Sequence, residues 1–99
     1  MDALAATEGI DVPFVGPADL SQSCGALGQF DRELIRRAVD ATATACKRHG
    51  KGWGMSVDSA EHANVLIEKG ARLLSYGEDQ TALVSGFRWA RDLLRGLKV

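Results

Sequence analysis

The segment from residue 10 to residue 21, IDVPFVGPADLS, decides how the rest of the chain is interpreted. Its first half is apolar and rich in β-branched and aromatic residues, which predicts a strand over residues 10–16. Gly16 and Pro17 interrupt that run and predict a turn. Asp19 therefore lies just beyond the carboxyl end of a strand, which is the edge where parallel α/β folds bind ligands.

The backbone of this turn adds two hydrogen-bond donors. Gly16 has no side chain and Pro17 has no amide hydrogen, so the next free N–H groups belong to Ala18 and Asp19. Adjacent N–H groups beside a carboxylate can bind an anion and a cation together. An alternative is that Asp19 is the N-cap of a short helical turn with Gln22 as its capping-box partner. One aspartate can serve both purposes.

Outward from this segment, strands alternate with helices. Residues 1–8 are typical of the end of a helix, Pro13 is an unusual residue for the first strand, and residues 20–29 are predicted to form a loop. The next predicted element is a helix that starts at an Asp31 N-cap, with Phe30 and Ile35 as a hydrophobic staple. A strand over 52–57 follows, and then a helix that starts at an Asp58–Glu61 capping box. The last two elements are a strand over 71–76 and a helix after Asp79. The order β-α-β-α-β-α predicts a parallel sheet with right-handed crossovers.

Each helix has an apolar stripe that predicts its buried face. The stripes are Leu34, Ile35, Ala38, Val39, Ala45 and Cys46 in the first long helix, Ala60, Ala63, Leu66 and Ile67 in the second, and Leu83, Phe87, Ala90, Leu94 and Leu97 in the last. Trp89 lies about 120° from the last stripe, which indicates either a protein interface or a single exposed aromatic residue.

Composition excludes several classes of function. The chain has 99 residues with 12 basic and 13 acidic side chains, so the electrostatic face of a nucleic-acid-binding protein is missing. We find neither an apolar run long enough to span a membrane nor a signal-peptide pattern. Cys24 and Cys46 have no motif spacing, which favours a reducing compartment, by default the cytoplasm, over a disulfide or a metal pair.

Several motifs match one enzyme family. Besides GPADLS they are Gly50-Lys51-Gly52, Gly54, Glu68-Lys69-Gly70-Ala71-Arg72 and Tyr76-Gly77-Glu78-Asp79. Together they resemble the class II pyruvate aldolases, of the 4-hydroxy-2-oxoheptanedioate and 2-dehydro-3-deoxyglucarate aldolase type, in the aldolase/citrate lyase superfamily. The resemblance implies that residues 1–99 are one partial domain, the last three βα units of a TIM (β/α)8 barrel, which needs roughly 250 residues.

The resemblance also implies a chemistry for the turn. In that family the aspartate corresponding to Asp19 binds a divalent cation, for which Mg²⁺, Mn²⁺ and Co²⁺ are candidates. The N–H groups corresponding to Ala18 and Asp19 hold the pyruvate carboxylate, with Gly16 in the same substrate-binding turn. The implied reaction is retro-aldol cleavage of a 4-hydroxy-2-oxo acid, which releases pyruvate or a similar 2-oxo acid through a metal-stabilised enolate.

Other groups of that family's site are not found here. Its second metal ligand, an arginine and a histidine–aspartate pair come from earlier strands, so we expect the 99 residues to be catalytically incomplete. Its C-terminal helix packs across a subunit boundary, which implies a homo-oligomer. The alternatives are a non-catalytic βα interaction module, a truncated gene product, or an acyl-CoA lyase of the citrate-lyase-β type.

Further polar residues are explained more simply. Asp58, Glu78 and Asp79 follow predicted strands and are expected to cap helices rather than to provide a second metal ligand. Ser56 is a candidate for lining the substrate pocket. His49 suits the negative end of a helix, and His62 is expected to be a surface residue.

Overall fold

The computed structural model describes residues 1–25 and 32–98. Its elements are α1 (Asp2–Ala6), β1 (Phe14–Val15), α2 (Pro17–Ser23), α3 (Arg32–Arg48), β2 (Trp53–Val57), α4 (Ala60–Glu68), β3 (Ala71–Tyr76) and α5 (Asp79–Leu94). The three strands form one parallel sheet in the order β1-β2-β3. The predicted α/β class with a parallel sheet is confirmed. Among the described residues, no helix is both long enough and apolar enough to cross a bilayer.

The first strand is much shorter than the predicted 10–16. Only Phe14 and Val15 pair with β2, opposite Gly54 and Met55. Pro13 has no N–H to donate, although its carbonyl still accepts a hydrogen bond of 2.9 Å from the Gly54 amide. Proline therefore limits β1 to its last two residues.

The other two strands agree with the sequence prediction to within one residue. Their pairing contains one irregularity, because Trp53 pairs with Ala71 while Gly54 pairs with Leu73. Arg72 is thus the extra residue of a bulge in β3. A side chain is poorly tolerated at this point of β2, since a Cβ on Gly54 would lie 2.5 Å from the Leu73 carbonyl oxygen.

The hydrophobic core lies mainly between the sheet and helices α3 and α4. Its largest member is Trp53, which is 1% exposed and donates its indole N–H to the Lys69 carbonyl at 3.4 Å. From the predicted α3 stripe, Val39, Ala45 and Cys46 are buried, whereas Leu34, Ile35 and Ala38 are half-buried. The stripe missed Thr42, which is fully buried and donates its hydroxyl to the Ala38 carbonyl at 2.7 Å.

The predicted starts of α2 and α4 need correction, and the predicted start of α3 lies outside the described residues. Helix α2 is capped by Gly16, with Pro17 at N1, so Asp19 is at N3 and is not the N-cap. Helix α4 is capped by Ser59 rather than Asp58, because the Ser59 hydroxyl accepts the His62 amide at 3.1 Å. The predicted loop over 20–29 is helical to Ser23, since proline at N1 starts the helix earlier. The Asp31 cap and the Phe30 staple lie outside the described residues.

The predicted burial of α4 and α5 is largely wrong. In α4 only Leu66 is buried, while Ala60 and Ile67 are exposed. In α5 no residue is buried, and of the five predicted stripe residues Ala90 is half-buried while the other four, Leu83, Phe87, Leu94 and Leu97 (beyond the helix end), are exposed. The chain measures 63 × 28 × 24 Å, an elongated shape for its length. An apolar stripe is buried only where another surface lies against it, and three strands do not supply that surface.

Candidate active site at the carboxyl edge of the sheet

The carboxyl ends of the three strands open into one cleft of about 1330 Å³. Each βα unit contributes residues to its lining, which include Gly16 and Asp19 after β1, Asp58 and His62 after β2, and Tyr76 and Glu78 at the end of β3. Ser56, a candidate pocket residue in the sequence, also lines it. Parallel strands bring their carboxyl ends to one edge, so residues distant in sequence share this cleft.

Asp19 is exposed in the first turn of α2. Its carboxylate folds back toward Gly16, because a Cβ built on that glycine would be 2.5 Å from Asp19 Oδ2. Only glycine leaves room for this position of the carboxylate. The absent side chain at residue 16 therefore fixes where Asp19 can place its oxygens.

The turn also leaves backbone donors available. The first hydrogen bond of α2 runs from the Leu20 amide to the Gly16 carbonyl at 2.9 Å, so the N–H groups of Ala18 and Asp19 are not used within the helix. Ser21 anchors the helix, because it is 2% exposed and its hydroxyl donates to the Ala18 carbonyl at 2.8 Å. The turn thus presents two N–H groups and one carboxylate from an anchored helix.

Asp58 and His62 form a pair on the rim of the cleft. Their atoms Oδ1 and Nδ1 are 3.0 Å apart, and the hydrogen bond from His62 lowers the pKa of Asp58. The His62 side chain is 34% exposed. The sequence predicts a surface histidine and an N-capping aspartate, but not that the two form a pair. The signal that could have found it is the i, i+4 spacing of the two residues.

The acidic residues after β3 differ from each other. Glu78 is the N-cap residue of α5 without a side-chain capping hydrogen bond, and its Oε1 is 3.5 Å from the Thr81 hydroxyl. Asp79 accepts a hydrogen bond of 2.8 Å from the Gln80 amide. Asp79 is thus engaged at its helix start, as expected for an acidic residue in a first turn, and Glu78 is the acid that borders the cleft.

The two strongly basic side chains of the cleft lining are both paired. Arg36 forms a hydrogen bond of 2.8 Å to Glu33, which raises the pKa of Arg36. Lys69 Nζ contacts Asp40 Oδ1, and this hydrogen bond lowers the pKa of Asp40. Carboxylates of α3 therefore already balance these positive charges.

Metal-binding side chains do not cluster among the described residues. Within residues 1–25 and 32–98, no group of three or more His, Cys, Asp or Glu side chains could hold an ion. Cys24 is exposed and Cys46 is buried, both as free thiols, and burial raises the pKa of Cys46. Asp19 has the hard oxygen atoms that Mg²⁺ and Mn²⁺ prefer, so it fits as one ligand of a shared site.

Comparisons with known proteins point to one group of enzymes. The chain is 37% identical over 79 residues to a 5-keto-4-deoxy-D-glucarate aldolase of Klebsiella pneumoniae, covering 80% of this chain and 31% of that protein. It is 36% identical over 93 residues to the 4-hydroxy-4-methyl-2-oxoglutarate aldolase tasA of Hapsidospora irregularis, covering 82% of this chain and 34% of that one. No family model matches the chain.

The fold gives the same result. The solved structure of an HpcH/HpaI aldolase/citrate lyase family protein from Burkholderia cenocepacia superposes with a TM-score of 0.79 at 33% sequence identity, covering 96% of this chain and 37% of that protein. The chain thus spans about a third of the length of the relatives it matches. The similarities in sequence and fold support the aldolase/citrate lyase family, with this chain matching a part of its members.

Proposed function

We propose that this chain supplies a metal-binding aspartate and a carboxylate-binding turn to a divalent-metal-dependent aldolase. The reaction would be carbon–carbon cleavage of a 4-hydroxy-2-oxo acid that releases pyruvate or a similar small 2-oxo acid. The single observation that carries the proposal is the position of Asp19, exposed on the cleft at the carboxyl edge of the sheet. The two relatives, both named as aldolases of keto or oxo acids, support this class of reaction.

Asp19 would be one ligand of the cation. A bound Mg²⁺ usually has one or two protein carboxylates and completes its shell with substrate oxygens and water. The cation would polarise the 2-oxo group of the substrate as a Lewis acid. The N–H groups of Ala18 and Asp19, free within α2, would donate hydrogen bonds to the substrate carboxylate. Gly16 would contribute to this substrate-binding turn by leaving the space in which the Asp19 carboxylate lies.

The other catalytic groups would come from polypeptide outside these 99 residues. A TIM barrel has eight strands, and the described residues of this chain form three. We assign no proton-transfer residue within the chain. We therefore expect turnover only when the remaining βα units of the barrel accompany this chain.

We also propose that the protein is located in the cytoplasm, because both of its thiols are free.

The test uses the full-length protein that contains this chain. Calorimetric titration of Mn²⁺ in the presence of pyruvate would compare wild type with Asp19→Asn, which keeps the side-chain shape and removes the charge. We expect the affinity for Mn²⁺ to fall by about tenfold or more. Asp11→Asn, an exposed aspartate before β1, is the matched control and should bind Mn²⁺ like wild type. Unchanged binding by Asp19→Asn would show that the proposal is wrong.

We also propose that the protein forms a homo-oligomer through α5. No residue of this helix is buried, and Trp89 is 67% exposed. Large exposed apolar surfaces are typical of protein interfaces. Trp89→Ala should lower the oligomer mass in sedimentation, while Arg88→Ala, an exposed neighbour on the same helix, should leave it unchanged. Equal masses for Trp89→Ala and wild type would exclude this interface.

A further inference from the structure

Two serines lie side by side on neighbouring strands of the sheet. Ser56 of β2 pairs in register with Ser75 of β3, both residues are exposed, and both line the cleft. Side chains at paired positions of neighbouring strands project from the same face, and such strands are about 4.8 Å apart. One ligand can therefore contact both hydroxyls. We call Ser56 and Ser75 the serine pair.

The serine pair projects from the face of the sheet that is turned away from the hydrophobic core. One residue earlier in β2, Met55 is buried, and one residue earlier in β3, Leu74 packs against the core. Successive side chains of a strand alternate between the two faces, so the serine pair lies on the opposite face from these two residues. Its exposure thus follows from the strand pattern.

The Asp19 carboxylate belongs to the same row of side chains. Val15 is buried and pairs with Met55, so Gly16, the next residue, comes level with Ser56 on the cleft face. The Asp19 carboxylate takes the place of the missing Gly16 side chain, since its Oδ2 lies 2.5 Å from a Cβ built there. A carboxylate and two hydroxyls thus follow one another across the three strands.

The layer of side chains directly beneath this row is apolar. A Cβ built on Gly54 would lie 2.8 Å from Phe14 Cδ2 and 2.9 Å from Leu73 Cβ, so these two side chains occupy the space over the glycine. A ligand held at Asp19 therefore has little room to descend along β2. On this side of the cleft it would extend along the row, toward the serine pair.

The row suits the half of an oxo acid that lies far from the metal. A cation at Asp19 would hold the 2-oxo group at one end of the row, and the rest of the substrate would cross the serine pair. A serine hydroxyl donates one hydrogen bond and accepts two, so it can bind a hydroxyl or a carboxylate oxygen. An alkyl group in the same place would separate both hydroxyls from water without replacing their hydrogen bonds, which costs free energy.

We propose that Ser56 and Ser75 are specificity-determining residues, which hydrogen-bond the oxygen atoms on the far half of the substrate. This half becomes the aldehyde product of the cleavage. The favoured substrates are 4-hydroxy-2-oxo acids whose far half carries hydroxyl or carboxylate groups. The inference rests on the proposed aldolase function and extends it beyond the atoms that Asp19 and its turn would contact.

The experiment measures aldol addition of pyruvate to three aldehydes by the full-length protein with Mg²⁺. Succinate semialdehyde carries a carboxylate, glyceraldehyde carries hydroxyls, and butyraldehyde has the four-carbon chain of the first without its carboxylate. The variants are Ser56→Ala, Ser75→Ala, the double variant, and Ser56→Thr, which keeps a hydroxyl. Thr44→Ala is the matched control, because it removes an exposed hydroxyl of α3 that does not line the cleft.

Each alanine variant should lower kcat/KM for an oxygenated aldehyde by about two- to tenfold, chiefly through KM, because one hydrogen bond to the substrate is lost. The double variant should lose more than either single variant, Ser56→Thr should keep most of the activity, and Thr44→Ala should change nothing. Butyraldehyde should react equally well with every variant.

The two oxygenated aldehydes identify the group that the serine pair binds. A loss confined to succinate semialdehyde assigns the contact to a carboxylate, a loss confined to glyceraldehyde assigns it to a hydroxyl, and either result supports the inference. Equal losses for butyraldehyde and the oxygenated aldehydes, or no loss in the double variant, would overturn it.

A binding measurement separates this inference from the proposed function. Calorimetry with Mg²⁺ would compare 2-oxoglutarate, 5-hydroxy-2-oxopentanoate and 2-oxopentanoate, which lack the 4-hydroxyl group that cleavage requires. If the double variant binds either of the first two acids more weakly and 2-oxopentanoate as wild type does, the serine contact is supported. Absent turnover would then count against the aldolase function only. Aldol activity with unchanged affinities for all three acids would refute the contact and leave the aldolase function standing.

Discussion

Replacing Gly54 with alanine should destabilise the fold measurably. This glycine lies in the central strand, beside the β3 bulge, and its new Cβ would be 2.5 Å from the Leu73 carbonyl oxygen and 2.8 Å from Phe14 Cδ2. Ordinary contacts begin at 3.4 Å, so the Leu73 backbone would have to move by roughly 0.9 Å. Because Leu73 of β3 and Phe14 of β1 lie on opposite sides of residue 54, moving this residue away from one of them would shorten its contact with the other.

The expected magnitude follows from these contacts. Overpacking a well-packed site costs about 1–3 kcal/mol, and a clash with backbone that cannot rotate away places Gly54→Ala in the upper half of that range. With a urea m-value of about 1–2 kcal/mol/M, the unfolding midpoint should fall by about 1–3 M. Fluorescence of Trp53, which is 1% exposed, reports the loss of this part of the core.

The control is the same substitution in open space. Gly86 lies inside α5, where a Cβ would have no atom within 4 Å. Alanine is favoured over glycine in a helix by about 1 kcal/mol, so Gly86→Ala should stabilise α5 or leave the midpoint unchanged. If the urea unfolding midpoint of Gly54→Ala equals or exceeds that of wild type, the strands around Gly54 are less closely packed than the contact distances indicate.

Three further results are expected. Gly16→Ala should displace the Asp19 carboxylate and weaken Mn²⁺ binding by about tenfold, measured by calorimetry, with an unchanged circular dichroism spectrum; wild-type affinity would contradict this. Asp2, whose pKa is lowered chiefly by its hydrogen bond from His49, should add stability that is full above its unfolded pKa near 3.8 and disappears as the pH falls through its lower folded value. Urea midpoints of wild type and Asp2→Asn should therefore differ at pH 7 and converge near pH 2, and a constant gap would refute the assignment. The isolated 99-residue chain should associate in sedimentation because its apolar surface is exposed, and a cooperatively melting monomer would argue against that.

The sequence predicted β2, β3 and the site edge well because those depend on local signals, whereas β1 is five residues shorter than predicted. Apolar runs interrupted by glycine place β2 and β3 to within one residue. Gly16 and Pro17 likewise place Asp19 beyond a strand end, where the structure has it. The alternation of elements then determines a parallel sheet, and with it the shared cleft.

Features that depend on competition between neighbours were not predicted. Ser59 and Asp58 are adjacent residues that could each cap the N-terminus of α4. In the structure Ser59 is the N-cap, while Asp58 forms a hydrogen bond with His62. The α5 stripe identifies an apolar face but not whether any surface lies against it. Sequence periodicity cannot tell burial within a chain from burial by another polypeptide, and this is why α5 was mispredicted.

The brevity of β1 has a consequence for ligand binding. Two paired residues and a proline connect the Asp19 turn to the sheet, while the buried Ser21 secures the far side of α2. Opening of β1 would need only a few hydrogen bonds to break, so its amides should exchange with solvent faster than those of β2. A cation that binds only the closed arrangement would slow that exchange in proportion to its occupancy. The affinity for the metal and the protection of the two β1 amides from hydrogen exchange would then rise and fall together.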